Sequence, residues 1–197
     1  KTSASITEQN EQKPIGLVRL GSDGDEINIE LPRLDMDEVT IELDGRLDES
    51  IWASIPGYDN MLVMDPDTLE KTRFKTDARM FYTEEGLYVG VFMEQPSETL
   101  IARLSSRDEF INRDSIGITI DTSGEGLYGY WFTLNLGGSV MDGKVAPERQ
   151  FSREWDGPWE SGTAVLDGGW SAEMFLPWSM MTMASSPGEN RKLGFWL

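Results

Sequence analysis

The stretch RDSIGITIDTSGEGLYGYWFTLNLGGSVMDG, residues 113–143, decides the fold. Apolar and polar residues alternate in SIGITID and again in LYGYWFTLN, and the glycine-rich TSGEG lies between them. Alternation of this kind is typical of half-buried strands, and a short glycine-rich break between two such runs is typical of a hairpin. One face of the hairpin carries the isoleucines, and the other carries Gly117, Thr119, Trp131, Thr133 and Asn135. A polar face with one large aromatic side chain is either a ligand surface or an ordinary solvent face.

The same pattern recurs along most of the chain. TDARMFYT and LYVGVFME alternate on either side of EEG, and WESGTAVL and WSAEMFLP alternate on either side of DGG. VTIEL, SVMDGKV and KLGFWL are further strand-like runs, whereas DESIWASIP and PWSMM have the spacing of one or two helical turns. Many short strands separated by turn residues, without a long amphipathic helix, predict an all-β antiparallel sandwich in one domain.

Composition divides the chain into three segments. Residues 1–14 are polar and aperiodic, which predicts a disordered tail or linker. Residues 15–37 are acidic and contain two strand-like runs whose packing the sequence leaves open. Residues 38–197 form the predicted sandwich module.

The residue types that are missing restrict the chemistry. The chain has no cysteine and no histidine, and its formal net charge is −18. A Ser-His-Asp triad is therefore impossible, and any metal would be a hard, oxygen-liking cation such as calcium. The negative charge argues against nucleic acid as a partner, because nucleic acid is a polyanion. No run approaches the roughly 20 apolar residues of a membrane span.

Five pieces of the sequence, in order, carry a resemblance to a known family. They are IELDGRLDESIWASIPG (41–57), TDARMFYTEEGLYVGVFMEQP (76–96), residues 113–143, WDGPWESGTAVLDGGWSAEMFLPWSMM (155–181) and KLGFWL (192–197). Together they resemble family 9 carbohydrate-binding modules, in particular the module near the N-terminus of long exported bacterial proteins. The resemblance implies a non-catalytic β-sandwich that grips sugar between aromatic rings, with bound calcium in some members.

The resemblance also implies where a sugar would bind. Asn135 matches the Asn that ends one family strand, while Gly117 stands where the family has a carboxylate. Ile111 matches the family's aromatic position in spacing, and Phe110 is the nearby aromatic residue that could replace it. The sugar-binding residues predicted in this way are Trp131, Asn135, Arg113, Trp155 and Phe110. In WDGPWE, Trp155 precedes a turn and Trp159 opens the next strand, so Trp155 is expected to be the freer of the two.

Calcium ligands are predicted at Asp44 and Asp48, within DGRLDE, and at Asp121, which ends a strand. These carboxylates lie near turns, although they lack the spacing of an EF-hand loop. The alternative is that they are solvated turn residues.

Several other functions remain open from the sequence. The main alternative to sugar binding is a structural or docking domain, without a small-molecule ligand, that precedes an outer-membrane-type barrel. Haem binding through a Met–Lys pair and a glycosidase with two carboxylates are less favoured, because no motif supports either. The predicted location is exported: periplasmic, associated with the outer membrane, or extracellular. The sequence leaves open the sugar and the oligomeric state.

Overall fold

Two β-sheets pack face to face in the computed structural model, which describes residues 17–18, 29–63, 68–183 and 191–197. The strands are β1 (Leu17–Val18), β2 (Gly57–Tyr58), β3 (Thr76–Tyr82), β4 (Gly86–Glu94), β5 (Ser115–Asp121), β6 (Gly129–Asn135), β7 (Val140–Ala146), β8 (Gln150–Ser152), β9 (Glu160–Leu166), β10 (Gly169–Pro177) and β11 (Gly194–Trp196). One sheet has the order β1-β11-β5-β6-β7-β8, and the other has the order β2-β3-β4-β10-β9. Pairing is antiparallel except between β1 and β11, which run parallel.

The hairpins predicted from alternation are confirmed. β3 pairs with β4, β5 with β6, and β9 with β10, each in the register that brings the apolar faces together. The two predicted helical turns are also present, as α1 (Ser50–Ser54) and as a 3-10 helix at Trp178–Met180. Further 3-10 helices lie at Met36–Glu38, Ser97–Thr99 and Pro147–Arg149. None of the helices in these ranges has the length and apolar composition needed to cross a bilayer.

The main core lies between the two sheets. Ile118 and Ile120 of β5 and Phe132 and Leu134 of β6 are buried there, as the alternation predicts. Alternate residues of β3, β4 and β10 fill the core from the opposite sheet. Burial of so much apolar surface is the main force that holds the sheets together.

A second apolar cluster covers the outer face of the five-stranded sheet. Trp52, Ile55, Phe81 and Tyr88 are its buried members, and the segment that covers them is residues 34–55, called the strap below. VTIEL, residues 39–43, belongs to this strap and forms no strand, so the predicted strand there is wrong. Its alternation has another cause, because Val39 and Ile41 pack onto the sheet face instead of pairing with a neighbouring strand.

Buried polar contacts attach the strap to β10. The Glu173 carboxylate accepts hydrogen bonds from Trp52 Nε1 and from the Gly45 amide, both at 2.8 Å, and Ser171 Oγ donates to the Gly45 carbonyl. Glu173 is fully buried. Burial raises the pKa of Glu173 to about 7, although its two hydrogen-bond donors lower it, and the negative charges of Glu49 and Asp44 raise it further.

The N-terminal segments predicted from composition lie partly within the described residues. The predicted tail, residues 1–14, lies outside the described residues. In the predicted acidic segment, β1 joins the six-stranded sheet, and Leu31 and Arg33 form bridges, the latter with Tyr82. This part of the chain is therefore attached to both sheets.

Candidate functional site

The outer face of the six-stranded sheet is the side of the sandwich that the strap does not cover. Strand register places Trp196 of β11 opposite Thr119 of β5, and Thr119 opposite Trp131 of β6. Two strand spacings of about 4.8 Å separate the two tryptophan backbones. A threonine thus lies on the sheet between two indole side chains, with Thr133 beside it on β6.

Trp131 is held in place on this face by contacts with the edge strand β8. Its Nε1 donates to the Ser152 carbonyl of β8 at 3.2 Å, and its ring meets Phe151 edge-on at 6.3 Å between centroids. Gly143 pairs with Trp131, and a Cβ there would lie 1.8 Å from the Ser152 carbonyl oxygen and 2.8 Å from Trp131 Nε1. Glycine at 143 therefore makes room for both the indole and β8.

Exposed aromatic side chains lie on this face and beside it. Phe151 is 55% exposed and Trp196 is 47% exposed, whereas Trp131 is only 9% exposed. Phe110 is 79% exposed, and the Arg153 guanidinium, next to β8, stands 5.9 Å from its ring centroid. The face thus presents more aromatic surface through Phe151 and Trp196 than through the predicted Trp131.

Two of the predicted sugar-binding residues use their polar groups within the chain. Asn135 is buried, and its Nδ2 donates to the Ser139 carbonyl at 2.7 Å, which closes the turn between β6 and β7. Arg113 donates to the carbonyls of Arg103 and Glu109 and to Ser105 Oγ. Arg113 therefore organises the loop that carries Phe110.

Trp155 lies on the opposite side of β6 from Trp131. Its ring is 4.8 Å from that of Tyr130 and 6.0 Å from that of Phe132, and both of these side chains point into the core. The structure therefore does not bring Trp155 and Trp131 together around one ligand. Trp159, which immediately precedes β9, also packs against Phe132, with 5.5 Å between the ring centroids.

An ion pair between the buried Asp142 and the exposed Arg107 fixes the WDGPWE turn. Asp142 is fully buried and accepts from Arg107 Nη2 at 2.6 Å, from the Gly157 amide at 2.6 Å and from Trp159 Nε1 at 3.2 Å. Arg107 Nε also donates to Asp156 at 3.0 Å. Asp108, Asp142 and Asp156 form the one acidic group compact enough for a metal ion in the described residues. Arg107 already supplies the positive charge there, because it pairs with all three carboxylates.

The carboxylates predicted to bind calcium do not form one site. Asp44 lies in the strap, outside the five-stranded sheet, beside β9. Asp121 lies on the other sheet, and its oxygens accept from the Ser123 amide, from Ser123 Oγ and from the Gly126 amide, which shapes the turn after β5. Asp48 is exposed. Since the sandwich separates Asp44 from Asp121, these three residues cannot share a calcium ion.

Comparison with known proteins identifies the architecture. No protein-family model matches the chain, and no curated protein matches it. A family 9 carbohydrate-binding module from Caldicellulosiruptor kristjanssonii, solved with cellotriose, matches with 13% identity and a TM-score of 0.57, over 84% of this chain and 74% of that one. The fold is that of the family 9 carbohydrate-binding modules.

Two further structures agree with this family 9 fold. A module of the same family and organism, solved with glucose, has 14% identity and a TM-score of 0.52, over 83% of this chain and 75% of the other. A candidate carbohydrate-binding protein from Bacteroides uniformis ATCC 8492 has 13% identity and a TM-score of 0.58, over 85% of this chain and 74% of that one. Identities this low establish the shared fold and do not establish the ligand.

Two aromatic residues on the outer face of the six-stranded sheet, Phe151 and Trp196, were not among the sugar-binding residues predicted from the sequence. Phe151 lies in the short edge strand β8, which was not predicted. Trp196 lies in the predicted strand KLGFWL. The alternation in KLGFWL could have located Trp196, because it places Trp196 opposite to Phe195, which is buried in the core.

Proposed function

We propose that this chain is a non-catalytic carbohydrate-binding module and that it binds sugar on the outer face of the six-stranded sheet. The observation that carries the proposal is the row Trp196–Thr119–Trp131 with Phe151 beside it on the same face. Aromatic rings stack on the apolar faces of sugar rings, and hydroxyl groups between them can bond the sugar hydroxyls. The family 9 fold supports this assignment.

The position of the exposed aromatic side chains also supports sugar binding on the outer face of the six-stranded sheet. A single exposed apolar residue on a protein surface is ordinary, but aromatic side chains gathered on one sheet face suggest a ligand site. Phe110 adds a further exposed ring on the loop that Arg113 organises. Arg113 and Asn135 would then support the sugar site indirectly. Arg113 fixes the loop that carries Phe110, and Asn135 fixes the turn between β6 and β7.

Binding of neutral glycans tests the proposal. Glucose and cellotriose are suitable probes, because they are the ligands in the two similar modules from C. kristjanssonii. Titration calorimetry should show binding that Phe151→Ala and Trp196→Ala each weaken by about tenfold or more, the loss of one stacked ring. Phe74→Ala removes an exposed ring elsewhere and is the matched control.

Absence of binding to a broad panel of neutral glycans would refute the proposal. The proposal would also be refuted if folded Phe151→Ala and Trp196→Ala variants bound glycans as tightly as the wild type.

The alternative, a docking domain without a small-molecule ligand, has one observation in its favour. The polar groups of Arg113 and Asn135 are already bonded within the chain, and Gly117 offers no carboxylate. In that case the exposed aromatics would contact the membrane-barrel region that the family resemblance implies for the parent protein. Phe151→Ala would then weaken association with that region and leave no glycan binding to measure.

An exported location and a structural calcium ion remain predictions from the sequence. Comparison of thermal unfolding with added calcium and with a chelator tests the second. A higher unfolding temperature in calcium, retained in Asp121→Asn, would place an ion away from the turn after β5.

A further inference from the structure

A cavity of about 310 Å³ lies at the end of the sandwich where β3 turns into β4. It is lined by Leu31, Arg33, Tyr82, Thr83, Glu84, Trp178, Met183, Arg191 and Leu193. Three of these residues, Leu31, Tyr82 and Leu193, belong to the core between the sheets. The cavity is therefore separated from the outer face of the six-stranded sheet, which lies on the other side of that sheet.

Backbone hydrogen bonds hold the cavity walls in place. The Leu34 amide donates to the Tyr82 carbonyl at 3.0 Å, and the Tyr82 amide donates to the Pro32 carbonyl at 3.0 Å. The Trp178 amide donates to the Glu85 carbonyl at 2.9 Å, and Trp178 Nε1 donates to the Thr83 carbonyl at 3.0 Å. The cavity is thus formed before any ligand arrives, and its volume is at the lower end of the range for small-molecule sites.

Two polar groups at the cavity lack partners in the part of the chain that the structure describes. The Tyr82 side chain is buried, yet its hydroxyl makes no hydrogen bond there, and the partly buried Arg33 guanidinium makes no hydrogen bond or ion pair there. Burial raises the pKa of Tyr82, and the nearby positive charge of Arg33 acts in the opposite direction. An unpaired guanidinium beside a buried phenol is notable in a chain with 35 acidic residues.

We propose that this cavity is a second binding site, which takes a sugar ring bearing a carboxylate, that is, a hexuronic acid unit. The Arg33 guanidinium has the planar geometry that pairs with a carboxylate, and the Tyr82 hydroxyl can donate to a sugar oxygen. Leu31, Met183 and the ring of Trp178 provide the apolar walls. The glycan nature of the ligand rests on the proposed function, whereas the carboxylate rests on Arg33.

Glu84 should weaken the binding of a carboxylate at this cavity, so its removal provides a further test. It lines the cavity and is exposed, so its negative charge repels a carboxylate bound at Arg33. The net charge of −18 also repels anions, but salt screens distant charges beyond about 8 Å at physiological ionic strength. The near charges at the cavity, which are the positive charges of Arg33 and Arg191 and the negative charge of Glu84, therefore act on the ligand more strongly than the distant charges do.

Titration with three small molecules isolates the recognition chemistry. Glucuronate carries both the ring hydroxyls and the carboxylate, glucose lacks the carboxylate, and cyclohexanecarboxylate lacks the hydroxyls. NMR or calorimetric titration should show saturable binding of glucuronate that Arg33→Gln weakens by about tenfold or more. Tyr82→Phe, which keeps the ring in place, should weaken it severalfold, and Glu84→Gln should strengthen it. Arg73→Gln removes an exposed arginine that lies over Phe74 and is the matched control.

Variants at the two sites distinguish binding in the cavity from binding on the outer face of the six-stranded sheet. Phe151→Ala should leave glucuronate binding unchanged, and Arg33→Gln should leave cellotriose binding unchanged. If the wild-type chain bound glucuronate but did not bind cellotriose, only the proposed function would be refuted. Absence of glucuronate binding, or binding that is equal in Arg33→Gln, would overturn the second site. Equal affinities for glucuronate and cyclohexanecarboxylate would overturn its assignment to a sugar.

Discussion

The two sheets share one core but differ on their outer faces. The strap covers the five-stranded sheet, so that β4 and β10 are buried on both sides along most of their length. The strap does not reach the outer face of the six-stranded sheet, called the uncovered face below, where Phe151 and Trp196 are exposed. A covered face serves stability and an uncovered one can serve binding, which is why the proposed sugar site lies on the six-stranded sheet.

The polar residues of the two faces differ in the same way. Glu173 and Ser171 on the covered face bond to the strap, and both are fully buried. Thr119 and Thr133 on the uncovered face remain partly exposed. Buried polar groups must find partners within the chain, whereas exposed hydroxyls remain available to a ligand.

The largest effect is expected from Trp52→Ala, which removes the main apolar contact of the strap. Trp52 is fully buried and its Nε1 bonds to Glu173, so the change leaves both a void and a carboxylate oxygen without its donor. Chemical denaturation should show a loss of about 3–5 kcal/mol in the free energy of unfolding. Trp196→Ala, on the uncovered face, should cost about 1 kcal/mol or less. Similar losses in the two variants would remove the distinction between the faces.

The second largest effect is expected in the pH dependence of the free energy of unfolding. Because the pKa of Glu173 is raised to about 7, the folded chain holds a proton between pH 4.5 and 7 that the unfolded chain has released. The free energy of unfolding should therefore fall as pH rises through this window, by about 3 kcal/mol in total at about 1.4 kcal/mol per pH unit. Subtraction of the Glu173→Gln profile from the wild-type profile isolates this contribution.

The control for this pH effect is Glu125→Gln, at an exposed turn on the other sheet. This variant keeps Glu173, so its free energy of unfolding should still fall between pH 4.5 and 7. A Glu173→Gln profile with the same slope as the wild type would show that Glu173 does not hold the proton.

Alanine substitution should lower the free energy of unfolding by different amounts at two glycines on the uncovered face, and both losses are smaller than the loss expected from Trp52→Ala. Alanine at position 143 would collide with the Ser152 carbonyl and Trp131, whereas a Cβ at position 117 would come no closer than 3.3 Å to Thr133 Oγ1. Gly143→Ala should cost about 1–3 kcal/mol and speed amide exchange in β8. Gly117→Ala should cost about 0.5 kcal/mol or less. Equal stability of the two variants would mean that Trp131 and β8 move apart readily.

The sequence predicted the paired strands, but it did not predict how the polar groups of the proposed site residues are bonded within the chain. Alternation and turn residues located the hairpins, because both depend on local backbone geometry. The same alternation in VTIEL was misleading, since it reports burial on one side and cannot distinguish a paired strand from a strap. The internal bonds of Arg113 and Asn135 join residues across turns and loops, which spacing alone does not reveal. The separation of Asp44 from Asp121 depends on which sheet each residue joins, and that is a property of the whole topology.

The smallest effect on stability, and the most informative one for binding, is expected from Thr119→Val. Valine matches threonine in shape and suits a strand, so the free energy of unfolding should change by about 0.5 kcal/mol or less. The variant loses the hydroxyl that lies between Trp196 and Trp131, and one hydrogen bond to a ligand is worth about 0.5–1.5 kcal/mol. Calorimetry with cellotriose should therefore show an affinity about 2- to 13-fold lower. Ser171→Ala is the contrasting change on the covered face, because it should lower stability and leave the affinity intact. If Thr119→Val bound cellotriose as tightly as the wild type, the ligand would not lie between the two tryptophans.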